Sequence, residues 1–142
     1  MKLLLLALLI LLVSNTIKFI IFLKKGGSIS RASLWWYYFW VGKCPSTHAA
    51  LFAGVTCGIW YESGFSQFFA LSVIISLFVM YTLLENKKRY ELLESYYMKS
   101  NDHAFKCLVS ERTVADFEGH HLADVVAGVV VGVAVAVIVY TF

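Results

Sequence analysis

Two short stretches concentrate the side chains able to do chemistry: Cys44-Pro-Ser-Thr-His48 and Gly119-His-His-Leu-Ala-Asp124-Val-Val-Ala-Gly128. Each stands where an apolar run begins, so each is expected at a helix N-terminus. There, free backbone N–H groups and the positive end of the helix dipole bind phosphate. His120 and Asp124 are four residues apart, a spacing that puts both on one helical face. The carboxylate can then accept a hydrogen bond from one ring nitrogen and leave the other aimed outward, which makes the imidazole a usable nucleophile. His48 comes from another helix and is the matching acid for a departing oxygen. Ser46 and Thr47 beside it, Lys43 just ahead, and the run Lys87, Lys88, Arg89 supply the hydroxyls and positive charge that a phosphoryl group needs.

Each of these residues also has a plainer role. His48 can cap or hydrogen-bond within a bundle, and His121 can be an interfacial side chain facing away from any site. A basic run commonly marks the end of a membrane span. Lys18 can snorkel, although an ionisable group this far inside a span is a functional candidate by default. Asp124 is harder to treat so, because an unpaired carboxylate inside an apolar helix is costly.

The elements that must position these residues follow from composition. Of 142 residues, 60% are hydrophobic and 15% charged, with mean hydropathy +0.74. A water-soluble domain is only about half apolar and could not hide so much. The expected fold is all-α, a single polytopic membrane helix bundle over residues 1–142 with about four transmembrane helices, at about 3–23, 45–61, 65–84 and 120–141. Lys2 followed by an apolar run resembles a secretory signal. No A-x-A site follows Val13, however, and the apolar character resumes at Ile17, so the segment is read as a span. Leu34 to Val41, an aromatic cluster between Arg31 and Lys43, is expected in the interface. Pro45 suits the first helical position of the second span. Tyr90, Leu93 and Tyr97 recur at helical spacing within the charged segment 86–118, which predicts a cytoplasmic amphipathic helix there.

Alternate crossing puts the end of the first span, the start of the second, the end of the third and the start of the fourth on one side. Every polar cluster falls on that side, as do all the Lys and Arg residues except Lys2 and Lys18. Short loops so biased stay cytoplasmic. The chain is thus expected to be integral and multi-pass, with the active face and residues 86–118 cytoplasmic and both termini outside. Small residues at intervals of four, Ala50, Gly54 and Gly58 on the second span and Gly128, Gly132 and Ala136 on the fourth, let backbones approach closely. They point first to packing inside the bundle, and alternatively to a homo-oligomer. A formal charge of +3 argues against nucleic acid as a partner. Cys44, Cys57 and Cys107 contain no C-x-x-C pair and suggest neither a disulfide framework nor a zinc cluster.

PSTH followed by AAxxAG, a basic run after the next span, and GHHLADVVAGVVVG together resemble the type 2 phosphatidic acid phosphatase superfamily. The likeness is greatest to its divergent branch, the small membrane proteins related to acid phosphatase and vanadium haloperoxidase. In the wider superfamily a PSGH motif carries the general-acid histidine, which His48 matches. An SRxxxxxHxxxD motif carries the nucleophile and its orienting aspartate, which His120 and Asp124 match. No KxxxxxxRP motif precedes PSTH, and Thr113 and Val114 stand in the Ser-Arg places.

The function expected is therefore a membrane-embedded phosphatase, hydrolysing a lipid phosphate or diphosphate through a phosphohistidine at the cytoplasmic interface, with no cofactor and no metal. One alternative is a non-catalytic phospholipid-binding or scaffold protein on an eroded site. Another is metal-assisted hydrolysis by His48, His120, His121 and Asp124.

Overall fold

The computed structural model describes residues 2–24, 44–99 and 119–142. The described residues form four helices, α1 (Lys2–Lys24), α2 (Thr47–Ser63), α3 (Gln67–Lys99) and α4 (Leu122–Thr141), and no strand. The expected interfacial cluster at residues 34–41 and most of the segment 86–118, from residue 100 onward, lie outside the described residues. Three helices, α1, α3 and α4, are long and apolar enough to cross a membrane. At 17 residues, α2 is about 25 Å long at 1.5 Å per residue, a little short of a full hydrocarbon core. The molecule is an all-α bundle of integral-membrane character.

Helix α2 is central and touches α1, α3 and α4, while α1 also touches α4. Its small residues explain why. Ala50, Gly54 and Gly58 form one buried stripe, and Gly128, Gly132 and Ala136 form another on α4. A methyl group at Gly132 would overlap the Ala50 carbonyl, and one at Gly128 the carbonyl of Ser46. The two stripes therefore meet each other inside the bundle, backbone against backbone, and α2 and α4 run parallel with their N-termini together. Close packing of this kind replaces the hydrophobic drive that lipid tails do not provide.

Helix α1 runs antiparallel to both. Its buried positions are Leu6, Ile10, Ser14, Asn15 and Lys18, four of them on a stripe with a period of four. The apolar half, Leu6 and Ile10, joins Ala50 and Ala136 in the core. The polar half reaches the joined N-termini of α2 and α4. At the other end, Tyr140 donates to Glu62 at 2.6 Å and stacks on Tyr61.

Gly64, with φ +58°, turns the chain from α2 into α3. The pair is held by Thr56 and Ser76, whose hydroxyls are 2.8 Å apart, and Ser76 also donates to the Phe52 carbonyl at 3.2 Å. A hydrogen bond between helices in lipid is worth about 0.6–1 kcal/mol. The third predicted span and the separate amphipathic helix after it are one continuous helix of 33 residues, about 50 Å long. Residues 85–99 contain neither Gly nor Pro and are rich in Glu, Lys, Arg and Leu, which favour helix. Glu85–Arg89 and Lys87–Glu91 pairs at i,i+4 continue it past the apolar part. Among the side chains described on α3, only Ser76 and Lys87 are buried.

Candidate functional site

The two chemistry-bearing stretches meet. Ser46, completely buried, is the N-cap of α2 and accepts the Ala49 N–H on its Oγ at 3.4 Å. Its own N–H donates to the Asp124 carbonyl at 2.9 Å. One backbone hydrogen bond thus ties the first turn of α2 to the first turn of α4. Pro45 precedes the cap instead of opening the helix, because Ser46 adopts extended backbone and offers the better capping oxygen.

Helix α4 begins at Leu122, two residues later than the apolar run suggests. Its N-cap is His121, in extended conformation, so His120 sits in the lead-in and not on the helical face it was expected to share with Asp124. The physical cause is Asp124 itself: as the third helical residue it accepts the His121 backbone N–H on Oδ2 at 3.2 Å, the acidic half of a capping box. The carboxylate is 9% exposed and adds negative charge where the dipole of α4 favours it.

His120 is held from the other side. Its N–H donates to the Leu83 carbonyl of α3 at 3.2 Å, and its Nδ1 is buried. Gly119 makes this docking feasible: at φ +68° it lies so close to α3 that a Cβ would sit 2.6 Å from both the Leu83 oxygen and the Lys87 nitrogen. Any other residue would be strained by its dihedral and blocked by backbone. The start of α4 is therefore wedged between α2 and the stretch Leu83–Lys87 of α3.

This wedge sorts the basic run. Lys87 is 8% exposed, its backbone against Gly119, with its ammonium 3.6 Å from Glu91 and over the Tyr90 ring. Lys88 is exposed. Arg89, roughly 200° around the helix from Lys87, turns to the far side and pairs with Glu85 at 2.7 Å, an exposed pair worth under about 1 kcal/mol. Of the three, the structure brings Lys87 to the start of α4. Lys43 lies outside the described residues.

Helix α1 closes the remaining side. Thr47 donates to Asn15 Oδ1 at 3.2 Å, and Lys18 lies one turn further along. Lys18 is 8% exposed. Its charge interacts with Asp124 and Cys44 and reaches His48. His48, the second residue of α2, is exposed. Two parallel helix N-termini, whose first N–H groups have no intrahelical acceptor, thus stand side by side next to a buried cation, with His48 and Asp124 within its field. Chemically this is a place for an anion.

Sequence reasoning missed Asn15 and Ser14, which read only as interruptions of an apolar run. The period of four that Ser14 shares with Leu6, Ile10 and Lys18 was the available signal, whereas Asn15 lies off that stripe. Among the described residues no group of three or more His, Cys, Asp or Glu is arranged to hold a metal ion.

No curated protein and no solved structure matches the chain. The Divergent PAP2 family matches it over residues 1–135, a range that takes in α1, α2 and α3, α4 as far as Val135, and both helix N-termini of the site. The chain belongs to the Divergent PAP2 family.

Proposed function

We propose that the protein is a membrane-embedded phosphatase that hydrolyses a lipid phosphate or diphosphate at the cytoplasmic interface. The observation that carries this reading is the Ser46–Asp124 backbone hydrogen bond, which joins the helix bearing His48 to the helix led by His120. Family membership supports it further.

In the proposed reaction, Nε2 of His120 attacks phosphorus, since Nδ1 is the buried nitrogen. The N–P bond forms as the P–O bond to the lipid breaks, and His48 gives its ring proton to the departing oxygen. Asp124, through the oxygen not used in capping, stabilises the positive imidazole and fixes its orientation. Water then attacks the phosphohistidine, losing a proton to His48, and phosphate and His120 are regenerated. Lys87, Ser46, Thr47 and the first N–H groups of α2 and α4 offset charge on the phosphoryl oxygens. Lys43, Lys88 and Arg89 add positive charge at the same membrane face, which draws anionic headgroups by its field. The lipid tail lies along the apolar helices, whose outward side chains include Leu122, Val126 and Val130.

The reading includes topology: the chain is multi-pass, with the ends of α1 and the apolar part of α3 and the starts of α2 and α4 at the cytoplasmic face. The test is phosphate release from a panel of phosphatidic acid and prenyl phosphates or diphosphates by the purified protein in nanodiscs. Release that is insensitive to EDTA and inhibited by vanadate, a trigonal-bipyramidal phosphoryl mimic, is expected. Phosphate binding without any release would favour the non-catalytic reading, and activity lost to chelator and restored by a divalent cation would favour the metal-assisted one.

A further inference from the structure

Among the described residues, Lys18 is the one buried cation on a membrane-crossing helix whose charge the proposed reaction leaves unused. It is more than nine-tenths buried, and no hydrogen bond or ion pair among the described residues holds its ammonium. Asp124 lies within its field, with one carboxylate oxygen on the cap of α4 and the other given to His120 in the proposed reaction. A buried ammonium with no acceptor in contact is costly, and an anion that reaches it offsets that cost. The fold delivers Lys18 to such a place. The stripe Leu6, Ile10, Ser14, Lys18 points inward along α1, Thr47 fixes the register through Asn15, and the N-termini of α2 and α4 meet there.

We infer that Lys18 is the principal anion-binding group of this site, holding the non-bridging oxygens of a phosphoryl group between the first turns of α2 and α4. The inference rests on the proposed phosphatase reading for the identity of the anion, and not for its existence. It assigns a depth as well as a charge: the phosphate is gripped from within the bundle by α1, while Lys87 approaches from the side of α3. The same chemistry serves a lipid headgroup and free phosphate.

The experiment uses the full chain in nanodiscs and compares wild type, Lys18→Met and Lys18→Arg. Affinity for inorganic orthophosphate is measured by 31P NMR titration, and affinity for phosphatidic acid by its enrichment around the protein against a phosphatidylcholine background. Thermal stability without ligand is read in parallel. Lys18→Met should weaken orthophosphate at least tenfold and leave ligand-free stability equal or higher, since it removes a buried charge without an acceptor. Lys18→Arg keeps the charge and should retain a measurable part of the affinity even if Lys18→Met fails to fold. Loss confined to phosphatidic acid assigns the site to the headgroup, whereas parallel loss of both assigns it to phosphate in general. Unchanged affinity for both ligands in Lys18→Met overturns the inference, as does a wild type that binds neither. So does a variant that is destabilised yet binds normally, because that is the signature of charge compensation for Asp124 alone. Phosphate binding that depends on Lys18 without hydrolysis would sink the phosphatase reading and leave this inference standing. Hydrolysis undiminished in Lys18→Met would do the reverse.

Discussion

Gly132→Ala is the sharpest structural perturbation, because it acts on the joint between the two site helices without touching a site residue. The added methyl would overlap the Ala50 carbonyl oxygen and lie 2.7 Å from its carbon and 2.9 Å from its Cα. Non-bonded carbons sit at about 3.5–4.0 Å, so α2 and α4 must part by about 0.8 Å or more. All three obstacles are backbone, so no rotamer change relieves them. Carried to the helix starts, that movement lengthens the Ser46–Asp124 hydrogen bond from 2.9 Å to about 3.7 Å, beyond hydrogen-bonding distance. Overpacking costs about 1–3 kcal/mol, and the lost hydrogen bond about 1 kcal/mol more. The assay is thermal unfolding in nanodiscs with turnover measured on the same preparation. Val133→Ala, on the neighbouring outward-facing residue, serves as control. The expected result is a lowered midpoint and an activity loss larger than the unfolded fraction explains, with the control unchanged. Gly132→Ala with wild-type stability and turnover would refute the claim that this contact holds the site together.

Asp124 separates capping from charge. Asp124→Asn keeps an oxygen for the His121 N–H and should cost only a few tenths of a kcal/mol in stability. Turnover should nevertheless fall by about 10²–10⁴-fold, because the imidazolium loses its counter-charge. Asp124→Ala should lose turnover too, with about 1 kcal/mol of capping in addition; equal turnover in wild type and Asp124→Asn would remove Asp124 from the reaction. On topology, Cys107 in sealed cells should resist an impermeant thiol reagent added outside and react once the membrane is opened. Labelling from outside would reverse the orientation.

The bundle was legible in the sequence because lipid imposes few solutions: apolar runs near 20 residues become helices, and small residues every fourth position mark where helices touch. Ala50, Gly54 and Gly132 meet on that basis alone. What the sequence could not show were effects of a hydrogen bond or a neighbour. Asp124 as a capping group delays the start of α4 and puts His120 outside it, which no apolar periodicity reports. The sequence placed Lys87, Lys88 and Arg89 as one basic cluster, whereas Gly119 docked on α3 distinguishes Lys87 from its two neighbours. Lys18 stood out as a charge in an apolar run, but its position beside Asp124 and His48 depends on α1 running antiparallel to two parallel helices. Such an arrangement is visible only once the helices are packed.

The proposed reaction requires that His120 become phosphorylated during turnover. Its most direct test is rapid quenching of the protein in nanodiscs with phosphatidic acid or a prenyl diphosphate carrying a 32P-labelled terminal phosphate, followed by peptide mapping. An acid-labile, base-stable phosphoryl group is expected on the peptide containing His120, formed and discharged at rates compatible with turnover. In His120→Ala both the label and activity should be absent, with activity down by at least about 10³-fold. Full turnover with no labelled protein, or full activity in His120→Ala, would contradict it.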